Sequence, residues 1–407
     1  MAAEGKKPPV GLTVLVAALG YFVDIYDLIL FSIVRVKSLA GIGVPKEHLL
    51  DQGVLLLDMQ MGGMLVGGIV WGVLGDKRGR LSVLFGSIFL YSAANIANGF
   101  VQTMPVYAAL RFVAGVGLAG ELGAGITLVS EIMHKESRGY GTTIVATIGI
   151  FGAVVAALVG DSFSWRTAYF VGGGMGLALL LLRVGLYESG MFSGVKASGA
   201  KLGSFLSLFS SVARAKKYLG VILIGVPIWY AVGILVTFAP EIGKAMGMVE
   251  APAPGRAVMM TYIGLAVGDL ASGALSQLAK SRKRVLAAFL ALTALAIAVY
   301  FTLGKSSLGA FYAVCLLLGF STGYWAVFVT MASELFGTNI RATVTTTAPN
   351  FVRGAVVPLT FSFKHMKETL GVVGSALTVG ALTLVVAFLA LFWLEETHGK
   401  NLDYVED

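Results

Sequence analysis

The sequence predicts an all-α membrane protein, twelve transmembrane helices arranged as two six-helix bundles. Three observations predict it. Of 407 residues, 57% are apolar and only 13% charged, against about 25% charged in soluble domains. So few charges cannot clothe a water-facing surface of this size. Twelve apolar runs reach the length of about 20 residues that a helix needs to cross a bilayer. Motifs of the first half recur, in order, in the second.

The runs are 10–34, 53–75, 81–101, 106–132, 140–160, 165–186, 218–242, 256–279, 285–304, 308–333, 340–363 and 370–394. An even number puts both termini on one side. If that side is cytoplasmic, the inner segments hold 19 of the 30 Lys and Arg and the outer segments 9, with Arg111 and Arg353 inside spans. This bias expects cytoplasmic termini in an inner or plasma membrane, and it accounts for the net charge of +8 without nucleic acid. The first run follows Lys6-Lys7, exceeds a signal-peptide core and lacks an A-x-A site, so it reads as an uncleaved helix. The longest polar gap, 187–217, is the expected cytoplasmic linker between bundles 1–186 and 218–407.

Glycine is abundant, 53 residues, and proline scarce, 10. That balance suits closely packed membrane helices and excludes collagen and disordered chains. A single cysteine, Cys315, excludes a disulfide scaffold and a Cys-based zinc site, and the four histidines have no metal-ligand spacing. No metal and no cofactor are expected. Gly115-Val116-Gly117-Leu118-Ala119-Gly120 fits G-x-G-x-x-G, but a dinucleotide fingerprint follows a strand. Inside an apolar helix it reads as a small-residue packing face. Gly63/Gly67 and Gly319/Gly323 share that four-residue spacing.

Gly72 to Arg80 follows the second run; Gly273-Ala274-Leu275 and the basic stretch 280–284 follow the eighth. Ser130-Glu131 with Arg138 ends the fourth, and Ser333-Glu334 with Arg341 ends the tenth. Glu188-Ser189-Gly190 and Glu396-Thr397-His398-Gly399 close the two halves. The offsets are 201, 203 and 208. Three motifs in one order at nearly one offset indicate duplication, the mark of carriers that rock two bundles about a midplane site.

Gly72-Val73-Leu74-Gly75-Asp76-Lys77-Arg78-Gly79-Arg80 resembles the signature loop of the major facilitator superfamily, in its place between the second and third spans. Arg111 to Gly115 with Gly120-Glu121 resembles the pattern of metabolite:proton symporters. Asp24-Ile25-Tyr26-Asp27 is similar to the first-helix motif of those proteins and of aromatic-acid symporters. Glu396 to Lys400 resembles the closing motif of sugar porters. Two other sugar-porter motifs are missing, which speaks against a sugar. The resemblance implies the superfamily's fold and a proton-coupled secondary transporter. It also implies an inner-gate latch of Asp76, Arg80, Glu131, Arg138, Glu334 and Arg341.

The buried charges carry the functional reading. An ionisable residue at the bilayer centre costs at least about 2.5–3.5 kcal/mol, so each needs a partner, water or a role. Asp24, Asp27, Arg111, Glu121, Asp269 and Arg353 lie in spans, with Asp58 nearer an end. At about 1.5 Å per residue, Asp27 and Arg111 have similar depths, so an Asp27–Arg111 or Asp24–Arg111 pair is expected. Asp24 and Asp27 share one helix face. Arg111 neutralises one and leaves the other to carry a proton, Asp27 being the better single candidate. Glu121 is a second protonation site or a helix-packing group. Arg353, without a counterpart in the first half, is expected to grip an anionic substrate or to pair with Asp269. Tyr26, Trp229, Tyr230, Tyr324 and Trp325 are the expected cavity lining.

The function expected is symport of a small organic anion with protons by a monomeric carrier in the lipid bilayer. A proton antiporter exporting an organic cation is the alternative. A membrane-embedded enzyme would need a metal cluster, cofactor fingerprint or nucleophile–base motif, and none is present.

Overall fold

The computed structural model describes residues 10–78, 80–121, 138–187 and 205–400. Its elements are α1 (Val10–Gly41), α2 (Leu49–Arg78), α3 (Arg80–Asn98), α4 (Met104–Leu118), α5 (Arg138–Ser162), α6 (Trp165–Tyr187) and α7 (Val212–Tyr230). Then follow α8 (Ala239–Ala245), α9 (Pro254–Leu278), α10 (Arg282–Thr302), α11 (Leu308–Thr322), α12 (Trp325–Glu334), α13 (Thr338–Gly354) and α14 (Val356–Trp393).

Among the described residues, nine helices are long and apolar enough to cross a membrane, and two shorter apolar ones lie at Val83–Asn98 and Met104–Leu118. The longest, Thr343–Trp393, is two spans: Gly371, at φ 69°, breaks α14 where the eleventh and twelfth runs were divided. That backbone conformation suits glycine, which has no Cβ to clash. The twelve expected spans are thus all represented, although 122–132 of the fourth lies outside the described residues. Part of the expected linker, 188–204, also lies outside them.

Local chemistry sets the helix starts. Ser211, Ser281 and Ser307 each accept a hydrogen bond from the backbone N–H three residues on, which opens α7, α10 and α11. Pro105 and Pro254 occupy first-turn positions of α4 and α9, where no N–H is needed. Pro227 lies inside α7, and a π-helical turn, Ala231–Val236, follows it.

The duplication is visible in the packing. In the first half α2 meets α4 so closely that a Cβ on Gly63 would strike the Phe112 carbonyl, and one on Gly115 the Gln60 carbonyl. In the second half α9 meets α11 in the same way, with Gly264 on the Leu316 carbonyl and Gly319 on the Thr261 carbonyl. The Gly115–Gly120 stretch is therefore a helix-packing face. Van der Waals packing drives helix association where no hydrophobic effect operates, and small residues allow it.

The halves meet where α1 and α2 face α9, α13 and α14, and where α5 faces α9. At the end expected to lie outside, Arg35 of α1 donates to Glu241 of α8 at 2.7 Å and to the Thr237 carbonyl at 3.2 Å. Its guanidinium also lies over the Phe238 ring. Nearby, Thr237 donates to Ser32 at 2.9 Å, and Lys367 pairs with Asp51 at 2.8 Å.

Candidate functional site

Arg353 stands near the end of α13 and is 1% exposed. Its Nη2 lies 4.0 Å from Asp24 of α1, so this ion pair crosses between the halves. The guanidinium carbon is 5.8 Å from the Trp229 ring centre and 5.7 Å from that of Trp325. Cation–π contact with two indoles holds the charge where lipid or water cannot. The Arg353 Nε and Nη1, the Trp325 Nε1 and both Asp24 oxygens are buried with no hydrogen-bond partner among the described residues. A planar donor fork with idle N–H groups, walled by indoles, is suited to a carboxylate on an apolar body.

The backbone explains how these side chains converge. The tenth span breaks at Gly323-Tyr324, and α12 restarts at Trp325. Asp269 of α9 accepts a hydrogen bond from the Ala326 N–H at 2.7 Å and so caps that new helix from a neighbour. Asp269 is thereby spoken for, and the expected Asp269–Arg353 pair is replaced by Asp24–Arg353. Trp229 follows Pro227 and precedes the π-helical turn. Such turns occur where a helix is deformed to present a side chain.

Arg111 also differs from expectation. Neither Asp24 nor Asp27 lies within ion-pair distance of it. It donates to Gln60 Oε1 and lies 5.1 Å from the Phe31 ring centre and 5.8 Å from that of Tyr169. Asp27 is fully buried, with Arg111 and Asp24 within electrostatic reach and the Asn95 amide placed to donate to it, and its oxygens meet no partner at full hydrogen-bond geometry among the described residues. Sequence depth brought Arg111 to the right level, but helix rotation turned its fork toward α2.

Glu121 is held in a two-point ion pair by Arg183 of α6, at 2.5 and 3.1 Å, with both side chains 1% exposed. Arg183 is one of the 19 basic residues that the charge count assigns to the inner segments. Its place inside the run 165–186 was the signal available in the sequence. Arg35, one residue beyond the run 10–34, is likewise buried, because α1 continues to Gly41.

The aromatic residues divide. Trp229 and Trp325 face Arg353. The hydroxyls of Tyr26, Tyr230 and Tyr324 instead donate to the carbonyls of Ala168 (3.0 Å), Ala376 (2.6 Å) and Ile224 (3.1 Å), tying neighbouring helices together. Asp58 accepts from Thr360 at 2.5 Å, another bridge between the halves.

Of the expected inner latch, Glu131 and the side chains of Asp76, Arg80 and Arg138 lie outside the described residues. Glu334 pairs with Arg282 at 3.2 Å and accepts from Thr397 at 2.6 Å. Arg341 donates to the carbonyls of Ser333 and Phe336. Among the described residues, no three His, Cys, Asp or Glu converge as a metal site would need.

The family model of the Major Facilitator Superfamily matches residues 50–357. The chain belongs to that superfamily. It is an integral membrane secondary transporter of small molecules, not an enzyme. The transporter is 28% identical over 375 residues to the 3-(3-hydroxy-phenyl)propionate transporter of Escherichia coli (strain K12), covering 88% of this chain and 89% of that one. It is 27% identical over 402 residues to a Bacillus subtilis (strain 168) protein named for niacin/nicotinamide transport, covering 95% and 97%. Among solved structures it is similar to a D-xylose-proton symporter, with TM-score 0.71, 16% identity and coverage of 97% of this chain and 100% of that one. At that identity the likeness speaks for the fold.

Proposed function

We propose that the transporter is a proton-coupled symporter of small organic monocarboxylates with an aromatic or apolar body. The observation that carries this is the loose Asp24–Arg353 pair, 4.0 Å long, between two indoles at the boundary of the halves. An incoming carboxylate binds the idle N–H groups of Arg353 and displaces Asp24. Asp24 then has no cation and takes up a proton. The empty site holds Arg⁺ and Asp⁻; the loaded site holds Arg⁺, the substrate carboxylate and neutral Asp. Both are neutral overall. A site loaded without a proton carries one excess negative charge, a cost of at least about 2.5–3.5 kcal/mol at the bilayer centre. Neutrality in only those two states is what couples the fluxes.

The sequence charge bias supports cytoplasmic termini, and the chain is read as a monomer with bundles 1–186 and 218–407. The relatives named for an arylpropionate and for niacin support the substrate class. A cation antiporter is disfavoured by an arginine at the centre of the site.

The test is uptake into liposomes. Nicotinate and 3-(3-hydroxyphenyl)propionate are expected to accumulate when the outside is acid, and a protonophore to abolish the accumulation. Protein-free liposomes subtract passive entry of undissociated acid. Uptake indifferent to the pH gradient, or a preference for organic cations, would contradict the reading.

A further inference from the structure

The substrate site accounts for Asp24 and Arg353 but leaves a second set of buried polar groups unused. They lie inside the first half, on α3. Tyr91 Oη, Ser92 Oγ and both amide atoms of Asn95 and of Asn98 are buried with no partner at full hydrogen-bond geometry among the described residues, as are both oxygens of Asp27, toward which the Asn95 amide is placed. Buried polar groups almost always have partners, and an unmet one is costly. Six unmet atoms along one helix mark a place for internal water.

These side chains are in line. Residues 91, 95 and 98 have the i, i+4, i+7 spacing of a single helix face. The line spans about 10 Å at 1.5 Å per residue. α3 packs against α2, α4 and α6, all of the first half. Glycines of α6 set the levels: Gly176 lies against Ser92, Gly173 against Ile96, and Gly172 against the Asp27 carboxylate. Asp27 is therefore level with the stretch of α3 between Asn95 and Asn98. Asn98 ends α3, and the carbonyl of the next residue, Gly99, accepts from the partly buried Arg166 at 2.9 Å. That is the end of the bundle where Arg35 meets Glu241.

We propose that the α3 face of Tyr91, Asn95 and Asn98 lines a file of internal water that carries protons from the outer end of the first bundle past Asn98 to Asp27 and continues inward to Tyr91, apart from the substrate's route. Each water passes one proton on as it accepts another, and the one beside Asp27 gives its proton to that carboxylate. The charged and titratable groups facing Asp27 are Asp24 and Tyr26 of its own helix, Tyr91 of α3, Arg111 of α4 and Tyr169 of α6; those facing Tyr91 are Glu121, Asp27, Asp24 and Arg183. Asp27 sits one helical turn from Asp24, so a proton stored there is one step from the substrate-linked acid. Substrate then reaches the centre at the boundary of the halves, and the proton through the first bundle.

The inference rests on the symport reading, and the experiment separates the two. Asn95→Leu and Asn98→Leu keep the branching at Cγ and remove the water ligands. In liposomes holding a pH-sensitive dye, nicotinate-driven proton entry should fall about tenfold, the factor that a lost water-binding group is worth. Exchange of labelled for unlabelled nicotinate at equal pH should persist, which also shows that the variants fold. Asn95→Ser, which still binds water, should restore most of the proton entry. If the wild type admits no protons with nicotinate, the symport reading fails and the file with it. If the wild type is coupled and both leucine variants couple as well as it does, the file is wrong and symport stands. Loss of exchange in both folded variants would overturn the separation of the two routes.

Discussion

Two buried ion pairs lie one turn apart along α1, one against Gly20 and one at Asp24, and differ in kind. Glu121–Arg183 joins α6 to the stretch following α4 within one half, with two contacts of 2.5 and 3.1 Å. Asp24–Arg353 joins the halves, with one contact of 4.0 Å and idle donors and acceptors on both partners. A tight pair inside a rigid body has no reason to open. A loose one at the boundary of two bodies can exchange partners when they move. Proximity to the membrane centre is therefore a poor guide to function; what tells the pairs apart is whether they cross the boundary.

The largest expected effect breaks the tight pair. Arg183→Met leaves Glu121 buried and uncompensated, and removing one partner of a buried pair costs about 3–5 kcal/mol. Folded yield and thermal stability should collapse, and Glu121→Gln in the same chain should recover much of both. Asp24→Asn, by contrast, should fold nearly as well as the wild type. If its stability falls as far as that of Arg183→Met, the contrast between the pairs is wrong.

Arg353→Lys keeps the charge and loses the fork. Charge-assisted hydrogen bonds are worth about 1.5–3 kcal/mol, so affinity for nicotinate should fall roughly 10- to 100-fold by direct binding. Unchanged affinity would remove Arg353 from the substrate site.

The contact at the outer end sharpens the comparison, since it too crosses the halves but is partly exposed. Glu241→Gln weakens the hold on Arg35. It should raise labelling of a cysteine introduced at the outer end several-fold, an effect of about 1 kcal/mol on the balance of states, without changing substrate affinity once that shift is allowed for.

The smallest effect is pH-dependent. Glu396, exposed beyond the last helix, accepts from Ser281 and from the N–H groups of Arg282, Lys283, Thr397 and His398. Partial burial raises its pKa, but those donors outweigh burial and lower it from the ordinary 4.5 to about 2. Its contribution to docking the tail on α10 is full above the unfolded value and is lost as pH falls toward 2. Protection factors for hydrogen exchange at residues 394–400, which remove the intrinsic pH dependence of amide exchange, should fall over that range in the wild type and be flat in Glu396→Gln.

Most of the fold was legible because a bilayer imposes a length on every span and the duplication repeats its punctuation. Even the Gly371 break falls where the eleventh and twelfth runs divide. The site was legible in its residue types and not in its pairings. Depth along a helix can be counted from sequence; rotation about its axis cannot be read without the partner helix. Hence Arg111 was placed at the right level and opposite the wrong group, and Asp24 found Arg353 in a helix more than three hundred residues away. Asp269 looked like a free acid because the helix start that it caps arises from a break inside an apolar run. The three tyrosines looked like cavity lining because a hydroxyl that ties helices and one that faces substrate have the same sequence.

The central claim is that substrate and proton exchange places at Asp24 and Arg353. Asp24→Asn tests it most directly, because asparagine keeps the shape and cannot carry a proton. In proteoliposomes with the outside acid, this variant is predicted to lose uphill accumulation of nicotinate while exchanging labelled for unlabelled nicotinate at equal concentrations. Accumulation driven by the pH gradient as strongly as in the wild type would contradict the account.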